Sequence, residues 1–198
     1  MAKDKNSQKD ETRFVTNKVR FSYVNLATPR QFDDANSKPK YTVTLLMPKS
    51  DKENKKRFDK AFDAAIEAGI DAVWKGKRPA KVRNKVHDGD GERPQSGEPF
   101  GDECKGHWVV EVNSLTKPGI VDRYNDLMDA EDIKSGDYGR VSLRAFAYDF
   151  SGSKGVSYAL NNVQFLSEGE SLGGRRTSPE DDFSDPFDDD DELDDLLD

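Results

Sequence analysis

On the segment Gly139 to Phe150, Arg140, Ser142, Arg144, Phe146, Tyr148 and Phe150 alternate with Val141, Leu143, Ala145 and Ala147. A period of two is that of a β-strand with one buried face. On the open face the guanidinium groups could hold a phosphate backbone while bases stack on the rings, at roughly 1 to 3 kcal/mol per base and with little base preference. Tyr148 is the ring best suited to stacking. Curvature of a closing sheet would instead bury Phe146 and Phe150. Between Ala72 and His87 lies a run of six cations and no acid: Lys75, Lys77, Arg78, Lys81, Arg83 and Lys85. In a chain that is 35% charged this is poor filler and suits phosphate contact. Trp74, at its start, is either a core residue flanking a helix or a further stacking platform. Lys154 follows the ring-bearing strand and joins the candidate DNA-contacting residues.

Other chemistries find less support. There is no Gly-Lys-Ser/Thr phosphate loop, no GxGxxG and no GxSxG. Asp88, Asp90 and Glu92 open like a calcium loop, but Arg93 stands where glycine is needed and Pro99 where glutamate is needed. Cys104, His107 and His87 are too few ligands for a closed zinc site. Neither a catalytic residue, a metal nor a cofactor is therefore expected.

The elements that must position these residues are legible as periodicities. Lys18 to Leu26 alternates polar with apolar and reads as a first strand; Tyr41, Val43, Leu45 and Met47 mark a second. Ser50 to Glu53 reads as a capping box opening a helix, with Phe58, Ala61, Phe62, Ala65 and Ile66 on its buried stripe and Gly69 at its C-terminal cap. Asp88 to Gly106 reads as an exposed loop and His107 to Val112 as a third strand. Gly139 to Phe150 and Gly155 to Leu166 form the strongest strand pair, a hairpin joined by Ser151 to Lys154. The expected fold is mainly β: a five-stranded OB-fold-like barrel with one inserted α-helix and a disordered acidic C-terminal tail. A sandwich or an α+β sheet would leave the same trace. The expected organisation is a flexible N-terminus over 1–12, the nucleic-acid-binding domain over 13–168, a linker over 169–179 and the tail over 180–198.

That tail carries twelve carboxylates in nineteen residues and no cation. Its charges repel, and Phe183, Phe187, Leu193, Leu196 and Leu197 cannot bury enough surface to offset the entropy of ordering it. The whole chain has 31 Lys and Arg against 39 Asp and Glu; without the twelve tail acids 27 remain, and the rest of the chain carries +4. The acidic pI therefore hides a mildly basic body, which suits a polyanionic partner. A tethered polyanion can compete with that partner at an effective concentration on the order of millimolar, and its five apolar side chains can anchor a protein partner once it is displaced. The plainer alternative is that the tail only aids solubility.

The single Cys104 excludes an intrachain disulfide. No signal-peptide pattern and no run of about 20 apolar residues is present, so a cytoplasmic address and no membrane partner are expected.

The segment Lys40-Tyr41-Thr42-Val43-Thr44-Leu45-Leu46-Met47-Pro48-Lys49-Ser50, the segment Gly155 to Leu166 with Gly169-Glu170 and Leu172-Gly173-Gly174 after it, and the acidic end together resemble the OB-fold single-stranded DNA-binding proteins of tailed bacteriophages. The resemblance implies a non-enzymatic protein that coats single-stranded DNA in phage replication and recombination, in the bacterial host cytoplasm, with an acidic end that engages replication and recombination proteins. Many tails of that family end on an aromatic residue; this one ends Leu196-Leu197-Asp198. The rival readings are a metal-dependent nuclease or other DNA-processing enzyme, and an acidic adaptor that binds no nucleic acid.

Overall fold

The computed structural model describes residues 10–32 and 37–172. Among these residues nine strands and one α-helix follow in the order β1 (Arg13–Val15), β2 (Val19–Arg30), β3 (Lys40–Pro48), α1 (Lys52–Ala72), β4 (Arg83–Asn84), β5 (Val86–Asp88), β6 (His107–Ser114), β7 (Gly119–Val121), β8 (Tyr138–Phe150) and β9 (Ser153–Ser167). The five long strands close a ring, β2-β3-β6-β9-β8 and back to β2. This is the expected five-stranded OB-like arrangement with one helix inserted after the second long strand.

The ring has one weak seam. Strands β6 and β9 pair only at Asn113 and Ala159 before they diverge. The chain from Arg83 to Asp88 fills the gap: β4 runs parallel to β9, with Arg83 opposite Gly155, and β5 runs antiparallel to β6, with His87 opposite Val109. Val82 and Val86 pack against the core, and Arg83, Lys85 and His87 occupy the alternate positions. The last two of the six cations of the run, Arg83 and Lys85, thus lie on an extended segment, concealed in the sequence because only two valines mark its buried face.

Inside the ring, Phe21, Val43, Leu45, Val110, Val112, Leu143 and Tyr158 have no measurable exposure. The Tyr158 ring meets Phe58 of α1 edge-on at 5.1 Å, and Phe58 meets Phe14 of β1 at 4.8 Å. Helix and first strand together close one mouth of the ring.

Two local expectations about the helix need correction. Its N-cap is Asp51, not Ser50: the Asp51 carboxylate accepts from the Asn54 amide at 2.9 Å and is itself held by the Asn17 side chain. A carboxylate there also complements the helix dipole. Gly69 is not the cap but lies inside the last turn, and its carbonyl accepts from both Val73 and Trp74. The reason for glycine is contact, since a Cβ there would sit 2.3 Å from the Cβ of Ala147 on β8.

A stability prediction follows from that contact. Alanine favours a helix over glycine by about 1 kcal/mol, but overpacking costs about 1 to 3 kcal/mol. The clash wins, so Gly69→Ala is expected to lower the thermal midpoint. Adding Ala147→Gly should recover most of the loss, and a melt of the single and double variants checks both.

The β8–β9 connection is tighter than the four residues expected. Only Ser151 and Gly152 lie outside the strands, both with positive φ, +49° and +79°. That is the geometry of a type I′ hairpin turn, whose twist matches the flanking strands. Strand β2 also runs beyond the expected end at Leu26 to Arg30, which pairs with Lys40.

Candidate nucleic-acid interface

Strand β8 separates its two faces as its alternation requires. Val141, Leu143 and Ala145 are buried, while Arg140 and Arg144 are exposed, Phe146 is 40% and Phe150 70% exposed, and Tyr148 is half-buried. Paired residues on neighbouring strands project to the same side of a sheet. Opposite Arg144, Phe146, Tyr148 and Phe150 stand Ala159, Ser157, Gly155 and Ser153 of β9, a strip of small side chains that leaves Phe146 and Phe150 exposed and lets the Tyr148 ring lie across it. Gly155 is required by close approach, since a Cβ there would lie 2.6 Å from the Tyr148 hydroxyl and 2.7 Å from the Arg83 carbonyl. The Tyr148 ring therefore lies across β9 towards β4, and the Lys85 ammonium sits 5.9 Å from its centroid. Rings and cations share one surface.

The cationic run divides into two parts. Arg83 and Lys85 lie on the strand segment beside the rings. Lys75, Lys77, Arg78 and Lys81 belong to the exposed connection between α1 and β4, where Lys75 and Gly76 both have positive φ. Arg78 pairs with Glu67 at 2.9 Å, and Lys154 pairs with Asp149 at 3.4 Å. The first pair is largely exposed and the second about one-third exposed, so a phosphate could displace the acid at small cost, least for Arg78. Arg140 donates its Nε–H to the side-chain amide oxygen of Gln164 (Oε1) at 2.6 Å.

Of the two readings of Trp74, core residue or stacking platform, the fold takes the first. Trp74 is 3% exposed, lies against Gly69 and donates its indole N–H to the Tyr148 carbonyl at 3.1 Å. It cannot offer a face to a base. Its role is to tie the end of α1 to the strand carrying the rings, which its size and single donor suit. The five apolar tail residues, Phe183, Phe187, Leu193, Leu196 and Leu197, lie outside the described residues.

Sequence reasoning missed a further cation. Arg13 of β1 stands directly opposite Arg144, a like-charge pair that costs stability in a sheet. Asp10 bonds the Arg13 Nε at 3.2 Å. The Thr12 hydroxyl, with the Arg144 and Arg13 charges adding to it, holds the Asp10 carboxyl below its usual range. One carboxylate thus stands where a phosphate could. Only the β1–β8 register brings Arg13 here, and no local pattern in a three-residue strand announces it. At the opposite end of β2 and β3, the Phe32 ring is flanked by Arg30 at 5.3 Å and Lys40 at 5.9 Å, a second cation-bracketed ring.

The residues weighed for metal binding are otherwise engaged. Asp88 and Asp90 both bind the Lys49 ammonium, which holds their carboxyls below the usual range. His87 stacks on Phe100, and burial followed by the Lys85 charge keeps its imidazole below its ordinary pKa, hence neutral at neutral pH. Burial, reinforced by Glu103, pushes the Cys104 thiol up to about 11, far from the thiolate that a ligand or nucleophile requires. Among the described residues no group of three or more His, Cys, Asp or Glu could hold a metal ion, and no helix is long and apolar enough to cross a membrane.

Known proteins share this architecture. A solved structure of the single-stranded DNA-binding protein from bacteriophage Enc34 in complex with ssDNA superposes with a TM-score of 0.70 at 25% identity, covering 82% of this chain and 90% of that one. The gp2.5 single-stranded DNA-binding protein of bacteriophage T7 shares the fold at 15% identity, with a TM-score of 0.57 over 90% of this chain and 96% of its own. A putative protein p50 of Acyrthosiphon pisum secondary endosymbiont phage 1 is 26% identical over 185 residues, 85% of this chain and 93% of its own length. The family model described as the ssDNA-binding protein of Enterobacter phage Enc34 matches residues 12–197, and the chain belongs to that family.

Proposed function

We propose that this protein is a sequence-independent single-stranded DNA-binding protein that coats ssDNA during phage DNA replication and recombination, with no enzymatic activity of its own. The observation that carries the reading is the surface on which Phe146 and Phe150 are exposed and Tyr148 is half-exposed beside the small residues of β9, with Arg83 and Lys85 on one flank and Arg13 and Arg144 on the other. Rings that stack on any base, between cations that neutralise phosphates, give affinity without base readout. Kinship to a protein solved with ssDNA supports the same reading. Phosphates would lie along Arg83, Lys85, Arg140 and Arg144, with the exposed Lys75, Lys77, Arg78 and Lys81 and the half-buried Lys154 adding longer-range attraction. The acidic tail competes with DNA for these cations and, once displaced, recruits replication or recombination proteins through its phenylalanines and leucines.

The test is a gel shift with single-stranded, duplex and RNA ligands, using the full chain and a chain ending at residue 179. Single strands are expected to bind best, and the shortened chain more tightly than the full one by a margin that shrinks as salt rises. Absence of any shift at low salt would reject the reading. Shortening of labelled DNA with magnesium or manganese would point to an enzyme instead.

A further inference from the structure

The track for the strand has a second end, away from the β8–β9 hairpin. At the start of β8, Arg140 donates to Gln164, and Gln164 in turn donates its amide to the Asp122 carbonyl at 3.1 Å and to the Asn125 side chain at 2.9 Å. These bonds fix the turn 122–126 to the same stretch of the β8–β9 pair that carries Arg140. The turn is rigid in itself: the Asp122 carboxylate accepts from the amides of Tyr124 at 2.7 Å and Asp126 at 3.0 Å, and Asn125 takes a positive φ of +70°. The Tyr124 ring is nonetheless directed to solvent, 74% exposed. A well-held backbone presenting an uncovered aromatic ring contributes little to folding. It suits contact with a flat partner at low entropic cost.

We infer that the turn 122–126 is a distal base-stacking site for the single strand, with Tyr124 as the platform, Arg140 meeting the adjoining phosphate and Arg123 on the same turn adding positive charge. The inference rests on the reading of the protein as an ssDNA-binding protein and extends the track beyond Phe146 and Tyr148. The turn's own carboxylates, Asp122 and Asp126, outnumber Arg123, so Arg140 supplies the charge that meets the phosphate and the Tyr124 ring supplies the affinity. Arg140 and Tyr148 are eight residues apart on one strand, about 26 Å at roughly 3.3 Å per residue. Only an oligonucleotide long enough to span that distance engages both ends.

The experiment measures binding of full-length wild type, Tyr124→Ala and Tyr124→Phe to oligothymidylates of about 4 and about 16 nucleotides, the extremes of site size for such folds. Tyr124→Ala is expected to lower affinity for the long ligand by roughly 5- to 150-fold, to change affinity for the short one by less than about twofold, and to leave the thermal midpoint unchanged. Tyr124→Phe should bind like wild type, because the ring alone stacks. Unchanged long-ligand affinity in Tyr124→Ala would overturn the inference, as would an equal loss on both lengths, which would place Tyr124 in the primary site. Wild type that binds neither oligonucleotide would overturn the functional reading itself.

Discussion

Replacing Phe146 and Tyr148 together with alanine is expected to weaken ssDNA binding by at least about thirtyfold while leaving its salt dependence unchanged. Each ring is worth roughly 1 to 3 kcal/mol if a base stacks on it, so two give about 2 to 6 kcal/mol before any coupling between such close neighbours. Neither ring belongs to the buried core: Phe146 is 40% exposed and Tyr148 rests on β9 rather than inside the ring of strands. The variant should therefore fold. The ionic contacts persist, so plots of log affinity against log salt for variant and wild type should run parallel. A changed slope with little loss of affinity would mean that the rings only position the cations. Equilibrium titrations at several salt concentrations, with a melt as control, separate these outcomes.

Neutralising the flanking cations should do the reverse. Changing Arg13, Arg83, Lys85 and Arg144 to glutamine is expected to flatten the salt slope by about 0.7 for each phosphate that is no longer neutralised, close to 3 if all four side chains meet one. Affinity should fall most at low salt, and the four-residue variant should converge with wild type as salt rises. Stability should respond differently. Arg13 and Arg144 face each other as like charges, so removing them relieves repulsion in the sheet. The exposed Asp10–Arg13 pair disappears at the same time, worth no more than about 1 kcal/mol. The two effects nearly cancel, so weaker binding with an almost unchanged thermal midpoint is expected. A full salt slope in the variant would show that these four residues do not meet phosphate.

What the sequence revealed, and what it hid, follows from where each signal resides. Strands β2, β3, β6, β8 and β9 are long enough for a period of two to show, and the apolar stripe of α1 for a period near four; their order then limits the closed arrangements available. Strands β1, β4, β5 and β7 have two or three residues each, too few for a period, and the cations of the Arg83 region mask the two valines that face inward. Gly69 resembles a helix cap because caps favour glycine; its true constraint is Ala147, which is distant in the chain and adjacent only in the fold. Trp74 can be read two ways locally, and only the β8 carbonyl that receives its indole proton decides for the core. The alternating face of β8 is legible because it is a property of one strand. Its neighbours Lys85 and Arg13 arrive through pairing registers, and those depend on the whole fold.

Photocrosslinking wild-type protein to a 5-bromouracil-substituted single strand, followed by peptide mapping, tests the central claim most directly because it reports which side chains touch bases. Adducts on Tyr148 and Phe146 are expected, and they should vanish when competitor ssDNA is added. Adducts confined to residues away from β8, β9 and β4, such as the exposed side of α1, would contradict it.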